Sequence, residues 1–108
     1  MDGRPSANGR YAFNERSIVM KTLSITVSGK VQNVWFRKFT CDKAVELGLF
    51  GTVENLPNGN VFIQASGNDS QLQALENWCW EGSPESNVTG VDTVETTFTE
   101  FPDFRIIE

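Results

Sequence analysis

Three of the nine basic residues of this 108-residue chain lie close together in the segment SGKVQNVWFRKF, residues 28–39. They are Lys30, Arg37 and Lys38, in a chain whose formal net charge is -5. The segment joins a run with the two-residue period of a strand to a run with the 3.6-residue period of a helix. A helix N-terminus exposes unpaired backbone N–H groups and the positive end of the helix dipole, so it suits an anion even in an acidic protein. The pattern therefore indicates an anion-binding site at this junction.

The side chains of the junction divide into charged and apolar groups. Arg37, at the head of the predicted helix, adds a planar fork of donors that matches phosphate or carboxylate. The residues alone leave a second interpretation open, in which Arg37 is a solvated side chain. Solvated charges are the preferred interpretation of the two lysines. Val34 and Phe36 are interpreted as core anchors that fix the loop, and Trp35 between them is either the rim of a pocket or a surface aromatic.

Strand and helix patterns follow one another in the order β-α-β-β-α-β. The predicted elements are a strand at 22–28, a helix at 36–49 that Gly48 can end, two strands around the Asn58-Gly59 turn, a helix at 68–82, a strand within 88–101 and a short strand within 103–108. The expected core faces of the helices are Phe36, Thr40, Ala44 and Leu47 in the first and Leu72, Leu75 and Cys79 in the second. This order predicts an α+β, ferredoxin-like fold, an antiparallel sheet with two helices on one face.

Length and composition predict one domain at residues 20–108, preceded by a flexible tail at residues 1–19 that lacks a sustained apolar period. An acidic chain does not favour duplex nucleic acid or anionic membranes as partners. No apolar run is long enough for a membrane span or a secretory signal, so we expect a cytoplasmic protein. We also expect it to act as a monomer.

The cysteines and histidines of the sequence do not suggest a metal site. Cys41 and Cys79 stand far apart without metal-ligand spacing, and the chain has no histidine. Two reduced, largely buried thiols are the simpler interpretation. We expect no metal and no other cofactor.

Several spaced motifs resemble the acylphosphatase family. SGKVQNVWFR is followed by A..LGL.G.V.N.P.G.V...A.G, and the family pattern is a G-x-V-Q-G-V-x-F-R loop, a helix ending in L-G-L and G-x-V-x-N on the next strand. The resemblance covers about 80 residues of this chain, from the first strand to DFRII. It implies the same ferredoxin-like fold that the pattern of elements predicts.

The resemblance also implies an activity, the hydrolysis of small acyl phosphates to a carboxylate and inorganic phosphate without a metal. Arg37 would bind the phosphoryl group, and Asn55 of GTVEN would orient the attacking water. An amide can accept a hydrogen bond from water and donate one, but it is not an effective base. The phosphate loop implied by the resemblance consists of Gly29, Lys30, Val31, Gln32, Asn33, Val34, Trp35 and Phe36.

The chain departs from the family pattern at Asn33, where the family has glycine. Asparagine is among the few residues other than glycine that tolerate a positive φ, yet its side chain can crowd a phosphate. Thr52 and Glu108 also replace aromatic residues that the family often carries, and we expect these changes to affect packing more than chemistry.

Two other functions are open at this point. One is a non-catalytic module that binds phosphate or another anion on the same fold. The other is RNA binding, because RNA-recognition motifs share the β-α-β-β-α-β order. Those motifs need exposed aromatics on the sheet and usually a basic face. The segment NVFIQAS offers only Phe62, so RNA binding is the less favoured alternative.

Overall fold

Two helices pack on one face of a five-stranded sheet in the computed structural model, which describes residues 19–108. The elements are β1 (Lys21–Lys30), α1 (Phe36–Leu47), β2 (Phe50–Asn55), β3 (Val61–Gly67), α2 (Asp69–Glu81), β4 (Asn87–Thr96) and β5 (Phe104–Ile107). Apart from Val19, the predicted tail at residues 1–19 lies outside the described residues and stays a prediction. Within residues 19–108, no helix has the length and apolar character needed to cross a bilayer.

The strands are ordered β4-β1-β3-β2-β5 across the sheet. The four strands from β4 to β2 pair antiparallel, as the sequence predicted, and β5 pairs parallel with β2. The complete sheet is therefore mixed. The chain leaves β4 at one edge, turns back and reaches the opposite edge, so β5 runs against the direction of β4 and along that of β2.

Residues 97–101, which the sequence pattern continued as strand, instead form part of the connection between β4 and β5. Two buried hydroxyls on the open face of the sheet hold this connection. The backbone N–H of Thr99 donates to Thr22 Oγ1 at 2.8 Å, and Ser66 Oγ donates to the Thr99 carbonyl at 2.7 Å. The Thr99 backbone therefore hydrogen-bonds to side chains and not to a neighbouring strand. The alternation of apolar residues in the sequence does not distinguish these two arrangements.

The core lies between the sheet and the two helices. Ile25 and Val27 of β1 and Ile63 of β3 are fully buried on the face that the helices cover. The buried helix positions match the predicted faces, except that Leu47 is only partly buried: they are Phe36, Thr40 and Ala44 in α1 and Leu72, Leu75 and Cys79 in α2. The Phe36 ring packs against Trp78 with 5.4 Å between ring centroids, which joins the head of α1 to the end of α2.

Candidate active site

The loop between β1 and α1 is held in place from two sides. Its apolar residues Val31 and Val34 are buried. Gln32 Nε2 donates to the carbonyl oxygens of Leu56 at 2.8 Å and Asn60 at 2.9 Å, which ties the loop to the β2–β3 hairpin. On the other side, Ser83 Oγ donates to the Val34 carbonyl at 2.7 Å. The loop is therefore fixed by packing and by hydrogen bonds to two neighbouring connections.

The backbone of this loop alternates in the sign of φ. Asn33 and Trp35 have φ of 62° and 63°, whereas the residues on either side of each have negative φ. Such alternation turns successive N–H groups toward one point and forms an anion-binding nest. None of the N–H groups of residues 32–35 donates to a protein acceptor within residues 19–108. The first turn of α1 adds N–H groups that have no partner inside the helix.

A cleft of about 520 Å³ opens beside this loop. It is lined by Val31, Asn33, Trp35, Phe36, Arg37, Lys38, Asn55, Ile106 and Glu108. The structure thus brings Arg37 and Asn55 to one cleft, although 18 positions separate them in the sequence. Gln32 and Val34 support the loop from behind and do not line the cleft.

Gly29 and Lys30 lie farther from the cleft than the family pattern suggested. Both are in β1, paired with β4, and neither lines the cleft. Gly29 has φ of 118° at a shift in strand register, and a Cβ there would collide with the backbone of Asn87 and Thr89. Strand geometry therefore accounts for this glycine. Lys30 is exposed, as expected for a solvated charge.

Arg37 projects from the first turn of α1 and reaches the end of β5. Its Nη1 donates to the Ile107 carbonyl at 3.3 Å and lies 3.5 Å from Glu108 Oε1. The Arg37 side chain is 30% exposed and that of Glu108 is 85% exposed, so water screens this ion pair. Within the described residues the other two guanidinium nitrogens have no protein acceptor. Arg37 therefore keeps donors available for an anion in the cleft.

Asn55 is the last residue of β2 and is partly buried. Its Oδ1 atom is buried and has no hydrogen-bond partner among residues 19–108. Leaving a buried acceptor unpaired costs about 1–3 kcal/mol, so native structures rarely do so without a reason. An unpaired acceptor on the wall of a cleft is suited to a water molecule or a ligand.

The sequence did not predict that the end of the chain contributes to the cleft. Ile106 and Glu108 line it because β5 pairs with β2 beside Asn55. Glu108 was expected to matter for packing, yet it is exposed and faces Arg37. Only the pairing of β5 brings these residues to the site, and no local pattern in the sequence encodes that pairing.

The two thiols are poorly suited to nucleophilic chemistry. Burial raises the pKa of Cys79 to about 12. Burial, together with the nearby Asp42 carboxylate, also raises the pKa of Cys41. A thiol must ionise to act as a nucleophile, so both are inert near neutral pH. The part of the chain that the structure describes contains no group of three or more His, Cys, Asp or Glu side chains that could hold a metal ion.

Comparison with known proteins identifies the family of this chain. The family model for acylphosphatase matches residues 23–106, which include the loop, α1, Asn55 and most of β5. The chain belongs to the acylphosphatase family. It is therefore an enzyme of the hydrolase class that acts on acyl phosphates.

Similar proteins match this acylphosphatase domain over nearly their whole length. An acylphosphatase from Methylococcus capsulatus is 44% identical over 89 residues, which are 82% of this chain and 97% of that protein. One from Marinobacter nauticus is 51% identical over 82 residues, 75% of this chain and 89% of that protein. The solved structure of an acylphosphatase from Coxiella burnetii superposes with a TM-score of 0.81 at 37% identity, covering 88% of this chain and all of that one. These matches confirm the ferredoxin-like fold.

Proposed function

We propose that this chain hydrolyses small acyl phosphates without a metal ion, with Arg37 and the loop backbone holding the phosphoryl group and Asn55 positioning water. The observation that supports this most is the meeting of three unsatisfied groups at one cleft. Among residues 19–108 they are the N–H groups of the loop residues Asn33 and Trp35, the two guanidinium nitrogens of Arg37 that have no acceptor, and the Asn55 Oδ1 that has no donor. Two of these groups suit an anion, and the third suits a water molecule.

Charge stabilisation is the first task of the site. In phosphoryl transfer, negative charge spreads over the three equatorial oxygens while the attacking and leaving oxygens lie roughly in line. Preorganised N–H donors and a guanidinium can stabilise that charge without reorganising during the reaction. Arg37 would exchange its contacts with Ile107 and Glu108 for the phosphoryl oxygens. Because those contacts are exposed and 3.3 Å and 3.5 Å long, the exchange costs little.

Water positioning is the second task. The Oδ1 of Asn55 would accept a hydrogen bond from the attacking water, which satisfies a buried acceptor at the same time. The water oxygen forms a bond to phosphorus as the bond from phosphorus to the acyl oxygen breaks. The carboxylate leaves with that electron pair, and the phosphate takes the proton of the water. A carboxylate is stable at pH 7, so neither a general acid nor a histidine is needed.

The proposed chemistry uses residues of one chain. The loop, Arg37 and Asn55 meet within one copy of the fold, so the proposed chemistry needs no second copy, and we propose that the chain acts as a monomer. The two cysteines are unpaired, which supports a reducing compartment such as the cytoplasm. Size-exclusion chromatography with light scattering at micromolar concentration would test the first of these two proposals.

An assay of benzoyl phosphate hydrolysis tests the mechanism. The purified chain should release phosphate above the spontaneous rate in EDTA, and added magnesium should not increase the rate. Asn55→Ala should lower kcat while the inhibition constant of inorganic phosphate stays close to that of the wild type, because Asn55 acts on the water. Asn77→Ala on the exposed face of α2 is the matched control and should retain full activity.

Two results would contradict this mechanism. Hydrolysis that appears only with added magnesium would refute metal independence. An Asn55→Ala variant with the kcat of the wild type would remove Asn55 from the reaction.

A further inference from the structure

Trp35 is unusual among the residues of the loop because its side chain gains little from packing. It is 70% exposed, whereas its neighbours Val34 and Phe36 are 4% and 1% exposed. Its backbone lies in the left-handed region, with φ of 63° and ψ of 19°. For a bulky residue such a conformation costs roughly 1–3 kcal/mol and persists only when the surrounding structure imposes it. The indole is therefore held in water at an energetic cost.

Within the part of the chain that the structure describes, no hydrogen bond of the Trp35 side chain offsets this cost. Trp35 occupies the N-cap position of α1, yet its side chain makes no capping hydrogen bond. The positive φ places its two neighbours in the core and leaves the indole on the opposite side. A glycine or an asparagine would achieve the same backbone turn with less strain. The indole thus remains free to contact a ligand.

The position of Trp35 indicates which part of a ligand it would contact. Trp35 lines the same cleft as Arg37 and Asn55, and partly buried Ile106 of β5 adds an apolar wall. At about 520 Å³, the cleft lies within the roughly 300–1,000 Å³ of sites that enclose organic ligands. It therefore has room for more than a phosphoryl group. The basic donors suit the phosphoryl end, which leaves the indole and Ile106 for the acyl end.

We propose that Trp35 determines acyl-group specificity, by forming with Ile106 an apolar platform that favours aromatic or bulky apolar acyl phosphates over acetyl phosphate. This inference rests on the proposed function, because it assumes that the phosphoryl group occupies the loop beside Arg37. An aromatic acyl group would stack on the indole and displace water from an exposed apolar surface. An acetyl group is too small to cover that surface and would gain little from it.

The test compares two substrates in the complete chain. Trp35→Gly removes the indole and keeps the positive φ at no steric cost, and Trp35→Phe restores an aromatic face. The ratio of kcat/KM for benzoyl phosphate to kcat/KM for acetyl phosphate should fall about 2- to 10-fold in Trp35→Gly. It should stay near the wild-type ratio in Trp35→Phe and in the control Trp80→Ala, which removes an exposed tryptophan of α2.

Taking a ratio cancels the different intrinsic reactivities of the two substrates and any equal effect on the phosphoryl site. An unchanged ratio in Trp35→Gly, or an equal loss for both substrates, would overturn the inference. Failure of the proposed function gives a different result. In that case Arg37→Ala binds inorganic phosphate as tightly as the wild type in an NMR titration, whatever the substrate ratio shows.

Discussion

The two helices of this fold begin in opposite ways. α2 begins with a complete capping box, in which Asn68 Oδ1 accepts from the Gln71 N–H and Gln71 Oε1 accepts from the Asn68 N–H, each at 2.9 Å. Asp69 adds a carboxylate to its first turn. α1 begins at Trp35 with no side-chain cap and no acidic residue in its first turn. One N-terminus is satisfied by the chain itself, and the other is left open.

The difference follows from what each N-terminus contacts. The α2 cap also connects elements, since Gln71 Nε2 donates to the Leu47 carbonyl at 3.0 Å, at the end of α1. At α1, by contrast, the preceding loop is fixed from behind by Gln32 and Ser83, and the N–H groups of residues 32–35 have no acceptor within residues 19–108. A helix N-terminus can therefore stabilise the fold through a cap or bind an anion. We propose that α2 has the first of these roles and α1 the second.

Removing Arg37 should have the largest effect, because it takes a charged donor from the open N-terminus. For Arg37→Ala we expect kcat/KM for benzoyl phosphate to fall about 10²- to 10³-fold, as for loss of one preorganised donor. The affinity for inorganic phosphate should fall as well. Steady-state kinetics and a phosphate titration by NMR measure both effects.

Lys43→Ala is the control for this change, because Lys43 lies on the same helix and pairs only with Glu46 at 3.5 Å among residues 19–108. Its kcat/KM should stay within about twofold of the wild type, since an exposed pair contributes little. An Arg37→Ala enzyme with the kcat/KM of the wild type would show that the open N-terminus binds phosphate without this side chain.

A mutation at the capped N-terminus of α2 should lower stability and leave activity unchanged. Asn68→Ala removes the cap of α2 and should lower the free energy of unfolding by about 1 kcal/mol, within the 0.5–2 kcal/mol typical of such changes. The kcat/KM should not change, because α2 begins at the end of β3 remote from the cleft. Urea denaturation gives the first quantity and the benzoyl phosphate assay the second. A loss of activity without a loss of stability would contradict the division of roles between the helices.

The sequence predicted the two helices but not the contrast between their N-termini. The predicted ranges 36–49 and 68–82 agree within two residues with Phe36–Leu47 and Asp69–Glu81. The alternation of β1 and the spacing of Leu72, Leu75 and Cys79 predicted the buried faces correctly, because burial of one face imposes those periods.

The rest depends on contacts that are distant in sequence. One such contact is the parallel pairing of β5 with β2, and another is the pair of hydrogen bonds that Thr22 and Ser66 make with Thr99. These contacts join residues up to 77 positions apart. No local period encodes such contacts. For the same reason the sequence did not predict that Glu108 would contact Arg37, although both residues were singled out separately.

Removing the Glu108 carboxylate should strengthen phosphate binding at the N-terminus of α1, because Arg37 then loses a competing partner. An exposed ion pair is worth about 0.2–1 kcal/mol, so Glu108→Gln should tighten inorganic phosphate binding up to about fivefold. The gain should shrink at high salt, because screening weakens the same pair in the wild type. Inhibition constants of phosphate at two ionic strengths measure it. Glu100→Gln, which removes another exposed carboxylate, near the start of β1, is the control.

If Glu108→Gln binds phosphate as the wild type does, the contact with Arg37 does not compete with phosphate. Weaker binding would mean that Glu108 orients the guanidinium.

The smallest effect is expected at Asn33, which helps to shape the open N-terminus through its backbone. With φ of 62°, Asn33 occupies a conformation that glycine adopts without strain. Asn33→Gly should therefore keep kcat/KM equal to or slightly above the wild type, since it also removes a side chain from the cleft wall. Asn33→Ala should do worse, because an alanine at this φ costs roughly 1–2 kcal/mol and favours a different loop shape. If glycine lowers activity as much as alanine does, the amide of Asn33 takes part in binding, and the open N-terminus depends on a side chain as the capped one does.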